Sequence, residues 1–341
     1  MANPGLSSVV LTAIEEYLLG GPREFSRVDV SERTGVPSEV TQRLWVALGF
    51  AATGDDSARE YAAADLTAIE TFRGIPSFAD LDIDRQTAVT RAVGQWAARL
   101  AEWQVDVVVD EIGKQVEVLL AADPDRDPAD AAAAATATVM SAFEAMNSYV
   151  WRRHLAAALT RASGAPADDS AAGTTRRLAV GFADMVGFTR LTRRLDLGEL
   201  TELLHSFEGI TAEVIANNGG WVVKNLGDEV MFAADTPAAA VRIALVIQDA
   251  IRKADATPDL RTGIAYGEVL QRFGDLYGTV VNTAARLTGL ARPGTVLVDD
   301  EAAAELAADP EFSVWGLRPV HVRGISRLRP HLVRRARVRQ S

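Results

Sequence analysis

The 341-residue chain contains no cysteine, which removes disulfides, thiol catalysis and cysteine-ligated zinc from consideration. It has no excess of basic residues either: 46 acidic side chains against 35 Lys and Arg give a net charge of −11. A protein that grips nucleic acid non-specifically needs a basic footprint, so that function is not expected here. A local cationic pocket for a small anion remains compatible with the balance. Long apolar runs are lacking as well. The Ala-rich stretch 131–143 ends at Glu144, short of the ~18–20 residues that span a bilayer. The N-terminus has no basic start, and Glu15 and Glu16 interrupt its apolar run, so it does not read as a signal peptide. These absences lead to the expectation of a cytoplasmic protein with no membrane span and no nucleic-acid partner.

What is present suits two domains, since a domain typically takes about 100–200 residues. Residues 6–160 read almost entirely as helix: 6–19 before Gly20-Gly21, two short patterns in 28–50, another at 64–73, then long ones at 82–122 and 128–160. In 82–122, Val89, Val93, Trp96, Leu100 and Trp103 recur at spacings of three and four, which predicts one apolar face. Residues 161–175 are small, polar and Gly/Pro-containing, a linker by composition. From 176 to 341, short apolar runs rich in β-branched residues alternate with helical patterns at 197–217, 236–254 and 279–290. That order predicts an α+β chain: an all-α N-terminal domain (1–160), then a ferredoxin-like, split βαβ sheet with helices on one face.

Three motifs in the second half bear on chemistry. GFADMVGFT (181–189) delivers Asp184 at a strand end, where a carboxylate can hold Mg²⁺. The N–H groups of Gly187, Phe188 and Thr189 follow at a helix start, where they suit phosphate. WVVKNLGDEVMF (221–232) is a hairpin with Asp228 at its tip and Lys224 four residues earlier. FGDLYGTVVNTAAR (273–286) contains Asp275, then Asn282 and Arg286 on one helix face. Each motif alone is ordinary cap, turn or surface-helix chemistry.

Together the three resemble the catalytic domain of the class III nucleotidyl cyclases, over about residues 176–325. The resemblance implies Asp184 and Asp228 as ligands of two Mg²⁺ or Mn²⁺ ions, and Lys224 with Asp275 as the base-selecting pair. It implies Asn282 and Arg286 as the transition-state pair, and Arg323 in VHVRGI as a cation meeting the triphosphate. All six core positions carry the residue type expected of an adenylate cyclase acting on ATP. The short connection between Gly267 and Asp275 is similar to that of a short-arm bacterial subclass. In the family, sites form at a head-to-tail dimer interface, so a homodimer with two equivalent sites is implied. The helical half looks like the regulatory domain of some soluble cyclases, which implies a response to pH or to a lipid or other small-molecule effector. His154 and His205 are candidates for a proton switch by position alone.

Two other readings stand beside this one. A catalytically silent homologue that binds nucleotide is disfavoured by retention of the whole set. A DNA-binding regulator is suggested by VSERTGVPSEVTQRLWVALGF, which resembles the start of a MerR-type reader. It is disfavoured by nine acidic against five basic residues in 1–60.

Overall fold

The computed structural model describes residues 4–162, 174–254, 258–322 and 325–336. The chain divides into two compact units, Met1–Gly164 and Ala165–Ser341. The expected linker 161–175 lies mostly outside the described residues.

The first unit is helical: α1 (Pro4–Leu19), α2 (Arg27–Thr34), α3 (Ser38–Leu48), α4 (Ala63–Arg73), α5 (Pro76–Ala79), α6 (Ile83–Ala122) and α7 (Pro128–Ala162). Local chemistry sets its short helices. Ser26 Oγ accepts the Asp29 N–H while the Asp29 carboxylate accepts the Ser26 N–H, a reciprocal cap at the start of α2. Gly35 ends α2 in the left-handed region at φ 69°, a conformation that costs a residue with a Cβ. The packed core of this unit lies where α1, the second half of α6 and α7 meet, around Val10, Ile112, Val116 and Val139. Ala131, Ala132 and Ala135 on α7 let the helices approach closely there. The apolar stripe expected in the first half of α6 takes no part in that core. Val93, Trp96 and Trp103 are 46%, 55% and 54% exposed, and the buried residues along that stretch are Thr87, Gly94 and, just past the midpoint, Gln104. Periodicity identified a stripe correctly, but α3 docks elsewhere, at Gly94. A Cβ on Gly94 would lie 2.3 Å from the Leu48 carbonyl oxygen.

The second unit contains β1 (Thr174–Met185), α8 (Phe188–Leu191), α9 (Leu197–Asn217), β2 (Gly220–Asn225), β3 (Glu229–Ala234), α10 (Pro237–Ala254) and β4 (Leu260–Arg272). Then follow β5 (Asp275–Tyr277), α11 (Thr279–Leu290), β6 (Thr295–Val298), α12 (Asp300–Leu306), β7 (Phe312–Gly316), β8 (Val320–Val322), β9 (Ile325–Leu328) and β10 (His331–Arg335). The sheet order β2-β3-β1-β4, with antiparallel neighbours throughout, is the split βαβ arrangement. The sheet continues through β6, parallel to β4, to β10 and β7, while β5 folds back on β4. The α+β fold is thus as the sequence indicates.

Alternation along β1 assigns the two faces. Ala179, Ala183 and Met185 pack with Phe207, Ile215, Ile243 and Ile247 of α9 and α10. Leu178, Val180 and Phe182 pack with Ala284 of α11. Fully burying one such large side chain stabilises the fold by ~1.5–3 kcal/mol. Helices therefore cover both faces, not one as the strand–helix order suggested. What admits α11 is Gly263 on β4: a Cβ there would sit 2.2 Å from the Thr288 nitrogen and 2.5 Å from the Ala284 oxygen.

Candidate active site

Asp184 is the penultimate residue of β1 and is only 8% exposed. Its Cα partners are Glu229 on β3 and Arg261 on β4, because β1 lies between those strands. Arg261 Nε donates to Asp184 Oδ2, which pairs a nearly buried carboxylate with a guanidinium. Asp228 sits in the β2–β3 turn, which Gly227 makes tight at φ 70°. The Met185 N–H donates to the Asp228 carbonyl at 3.0 Å, tying the turn to the end of β1.

Electrostatics at this strand end are crowded with negative charge. Burial first, then the charge of Asp184, pushes the Asp228 carboxyl upward, against the pull of its own backbone and of Arg261. Glu229 is pushed to about 7, again by burial first and then by Asp184 and Asp228. Gathered carboxylates that resist ionisation are the donor set a divalent cation relieves. Among the described residues no three His, Cys, Asp or Glu side chains converge as a ready metal cage. Asp184 and Asp228 would therefore supply few ligands and leave the rest to substrate oxygens and water, which suits Mg²⁺.

Beyond Asp184, Gly187 takes φ 79° and its carbonyl receives the N–H groups of Arg190 and Leu191. Phe188 and Thr189 open α8, and first-turn N–H groups have no acceptor within a helix.

Lys224 Nζ donates to Asp275 Oδ2 at 2.6 Å, with the two side chains 39% and 29% exposed. The register of β2 shifts between Val222 and Lys224, and such a bulge re-aims the side chain that follows it. Asp275 Oδ1 accepts the Leu276 N–H at 2.8 Å, which fixes the carboxylate plane. Asn282 and Arg286 share one face of α11, and both are exposed. Thr283, Ala284, Leu287 and Thr288 form the buried face. Arg323 lies outside the described residues.

The structure thus brings Asp184 to Asp228 and Lys224 to Asp275, and turns Asn282 and Arg286 away from their own sheet. Arg261 is the residue that motif reading passed over. Its signal was available in the topology, since the strand antiparallel to β1 must place some residue opposite Asp184.

Residues 171–335 match the family described as the adenylate and guanylate cyclase catalytic domain. An adenylate cyclase of Streptomyces coelicolor is 39% identical over 305 residues, spanning 89% of this chain and 77% of the relative. One of Glutamicibacter nicotianae is 34% identical over 333 residues, spanning 94% and 81%. A pH-sensitive adenylate cyclase of Mycobacterium tuberculosis is 29% identical, spanning 87% of this chain and 74% of that one. Likeness of this extent reaches well beyond the catalytic motifs into the helical half, and on it the chain belongs to the class III adenylate cyclase family.

Proposed function

We propose that this protein converts ATP to 3′,5′-cyclic AMP and pyrophosphate at two equivalent sites in a homodimer, with residues 176–341 as the catalytic domain. The observation that carries the reading is the pair of carboxylates, Asp184 and Asp228, packed at one strand end beside a guanidinium. Two Mg²⁺ or Mn²⁺ ions held there would supply charge neutralisation for the triphosphate and for the attacking oxygen.

The remaining work falls to side chains and backbone. The ribose 3′-oxygen forms a bond to the α-phosphorus as the bond to pyrophosphate breaks, chemistry that needs positioning and charge more than covalent help. The N–H groups of Gly187, Phe188 and Thr189 suit the phosphate oxygens, and Arg261 and Arg323 add positive charge. Arg286 meets the charge that develops at phosphorus, while Asn282 orients the ribose. Adenine presents a ring-nitrogen acceptor and an amine donor, which Lys224 and Asp275 complement. Guanine would set its carbonyl against Asp275 and leave buried polar groups unpaired.

Asn282 and Arg286 lie on the face of α11 that points away from the sheet bearing Asp184. A second copy that brings its own carboxylates to that face completes the set, and this supports assembly of each site from two chains. Regulation by the helical domain (residues 1–160) through 161–175, by pH or a lipid ligand, fits the likeness to a relative described as pH-sensitive. Cyclic-nucleotide production by purified protein from ATP and from GTP, with Mg²⁺ or Mn²⁺ and with EDTA, tests the proposal. Cyclic AMP formation that EDTA abolishes is expected; metal-independent turnover, or a preference for GTP, contradicts it.

A further inference from the structure

The turn between β4 and β5 holds a backbone conformation that its sequence resists. Arg272 and Asp275 are Cα partners at the ends of the two strands, so Phe273 and Gly274 form a two-residue hairpin loop. Their φ angles are 50° and 81°, the left-handed pair that the tightest hairpins require. Glycine adopts this region freely and asparagine tolerates it, whereas a bulky aromatic residue is strained there. Phe273 is the only residue other than glycine with a positive φ among the described residues. Its side chain is 54% exposed, so burial does not offset the strain. Strain held without compensating packing points to a local task.

The ring has one partner, the guanidinium of Arg272, whose Cζ lies 4.9 Å from the ring centroid. Cross-strand partners share a sheet face, with Cβ atoms about 4.5–5.5 Å apart. Arg272 therefore stands beside Asp275, within easy reach of its carboxylate. Asp275 nevertheless takes its ion pair from Lys224, at 2.6 Å, and its second oxygen accepts the Leu276 N–H at 2.8 Å. Arg272 makes no ion pair among the described residues; its exposed guanidinium rests on Phe273 instead.

We infer that Phe273 determines base specificity by holding Arg272 off Asp275. The inference rests on the reading of Lys224 and Asp275 as the base-selecting pair, and names the residue that keeps the pair competent. Asp275 has to accept the exocyclic amine of adenine on lone pairs that Lys224 and Leu276 leave free. A guanidinium forked onto the carboxylate would take those lone pairs and turn N–H donors toward the base. Donors there suit guanine, whose O6 and N7 both accept, and oppose the amine of adenine. An exposed cation–π contact and an exposed cross-strand ion pair are of similar strength, so loss of the ring tips the guanidinium toward Asp275. Phe273 is thus a positioning residue: it acts on the base site through Arg272.

Four variants of the full chain test this, each read as the ratio of kcat/KM for ATP to that for GTP. Phe273→Gly removes the ring and suits the turn, and the ratio should fall by at least about tenfold. Phe273→Tyr keeps a ring and Arg272→Ala removes the cation; both should keep the parent ratio. The double variant Phe273→Gly with Arg272→Ala has no guanidinium to swing, so its ratio should return to within about threefold of the parent. An unchanged ratio in Phe273→Gly overturns the inference. A double variant as unselective as Phe273→Gly also overturns it, because damage to the turn or to subunit contacts would persist in both. A parent enzyme that does not prefer ATP would overturn the base-pair reading itself, so the two failures are distinguishable.

Discussion

Asp184 and Arg261 are Cα partners across β1 and β4, and the guanidinium of one holds the carboxylate of the other. Asp184 is nearly buried, so the guanidinium takes the place of solvent around that carboxylate. Arg261→Ala should lower cyclase activity by at least about tenfold and cost about 1–3 kcal/mol of stability in metal-free buffer. Arg261→Lys should recover part of the stability and less of the activity, since a point charge replaces a directed fork. Thermal melts and initial rates of the two variants read this out. Full activity in Arg261→Ala would remove Arg261 from the site.

Base choice should follow the Lys224–Asp275 pair. The double substitution Lys224→Glu with Asp275→Cys should reduce kcat/KM for ATP far more than for GTP, by at least about tenfold in the ratio. Equal losses for both nucleotides would mean that the 2.6 Å ion pair only braces β2 against β5.

Two glycines separate packing from propensity. Gly263→Ala should destabilise by at least about 1–3 kcal/mol, because its Cβ would press on the backbone of α11 and displace the helix that carries Asn282 and Arg286. Gly209→Ala on α9 meets nothing within 4 Å and should be neutral, or stabilising by up to ~1 kcal/mol. Denaturant melts of the two variants compare the effects directly.

Asp299 caps α12 and is pushed to about 6 by burial, although the N–H groups of Ala302 and Tyr266 pull it down. A carboxyl raised above its ordinary 3.8 contributes stability that is fully present below that value and is lost as pH rises through about 6. Asp299→Asn keeps a capping oxygen and removes the titration. Its stability relative to the parent should rise between about pH 4 and about pH 7, by up to ~3 kcal/mol, and then level off. A difference independent of pH would contradict the assignment.

Much of this molecule was legible in the sequence, for identifiable reasons. Helices at 197–217 and 279–290 coincide with α9 and α11, because Asp196 caps the one and Gly278 with Ala291 bounds the other. The Lys224–Asp275 contact joins positions 51 residues apart, and only the family resemblance brought them together beforehand. Arg261 was missed because an arginine opening a strand reads as an ordinary edge residue until its neighbour is known. The stripe of Val93, Trp96 and Trp103 was read correctly as an apolar face, yet it stays exposed. Periodicity shows that a helix has an apolar face and carries no information about what covers it. Placement of α11 on the second sheet face follows from Gly263, whose bare backbone admits it.

Complementation between two inactive chains tests the central claim, that each active site is shared by two copies. Asp228→Ala removes a metal carboxylate and Lys224→Ala removes a base contact, four residues away on the same hairpin; each variant alone should lose on the order of a hundredfold in rate. In a mixed dimer one site carries both lesions, and the other takes intact residues from each chain. With free exchange about half the dimers are mixed, so ATP cyclisation should recover to roughly a quarter of the parent rate. No recovery, with subunit exchange confirmed independently, would mean that each chain builds its site alone.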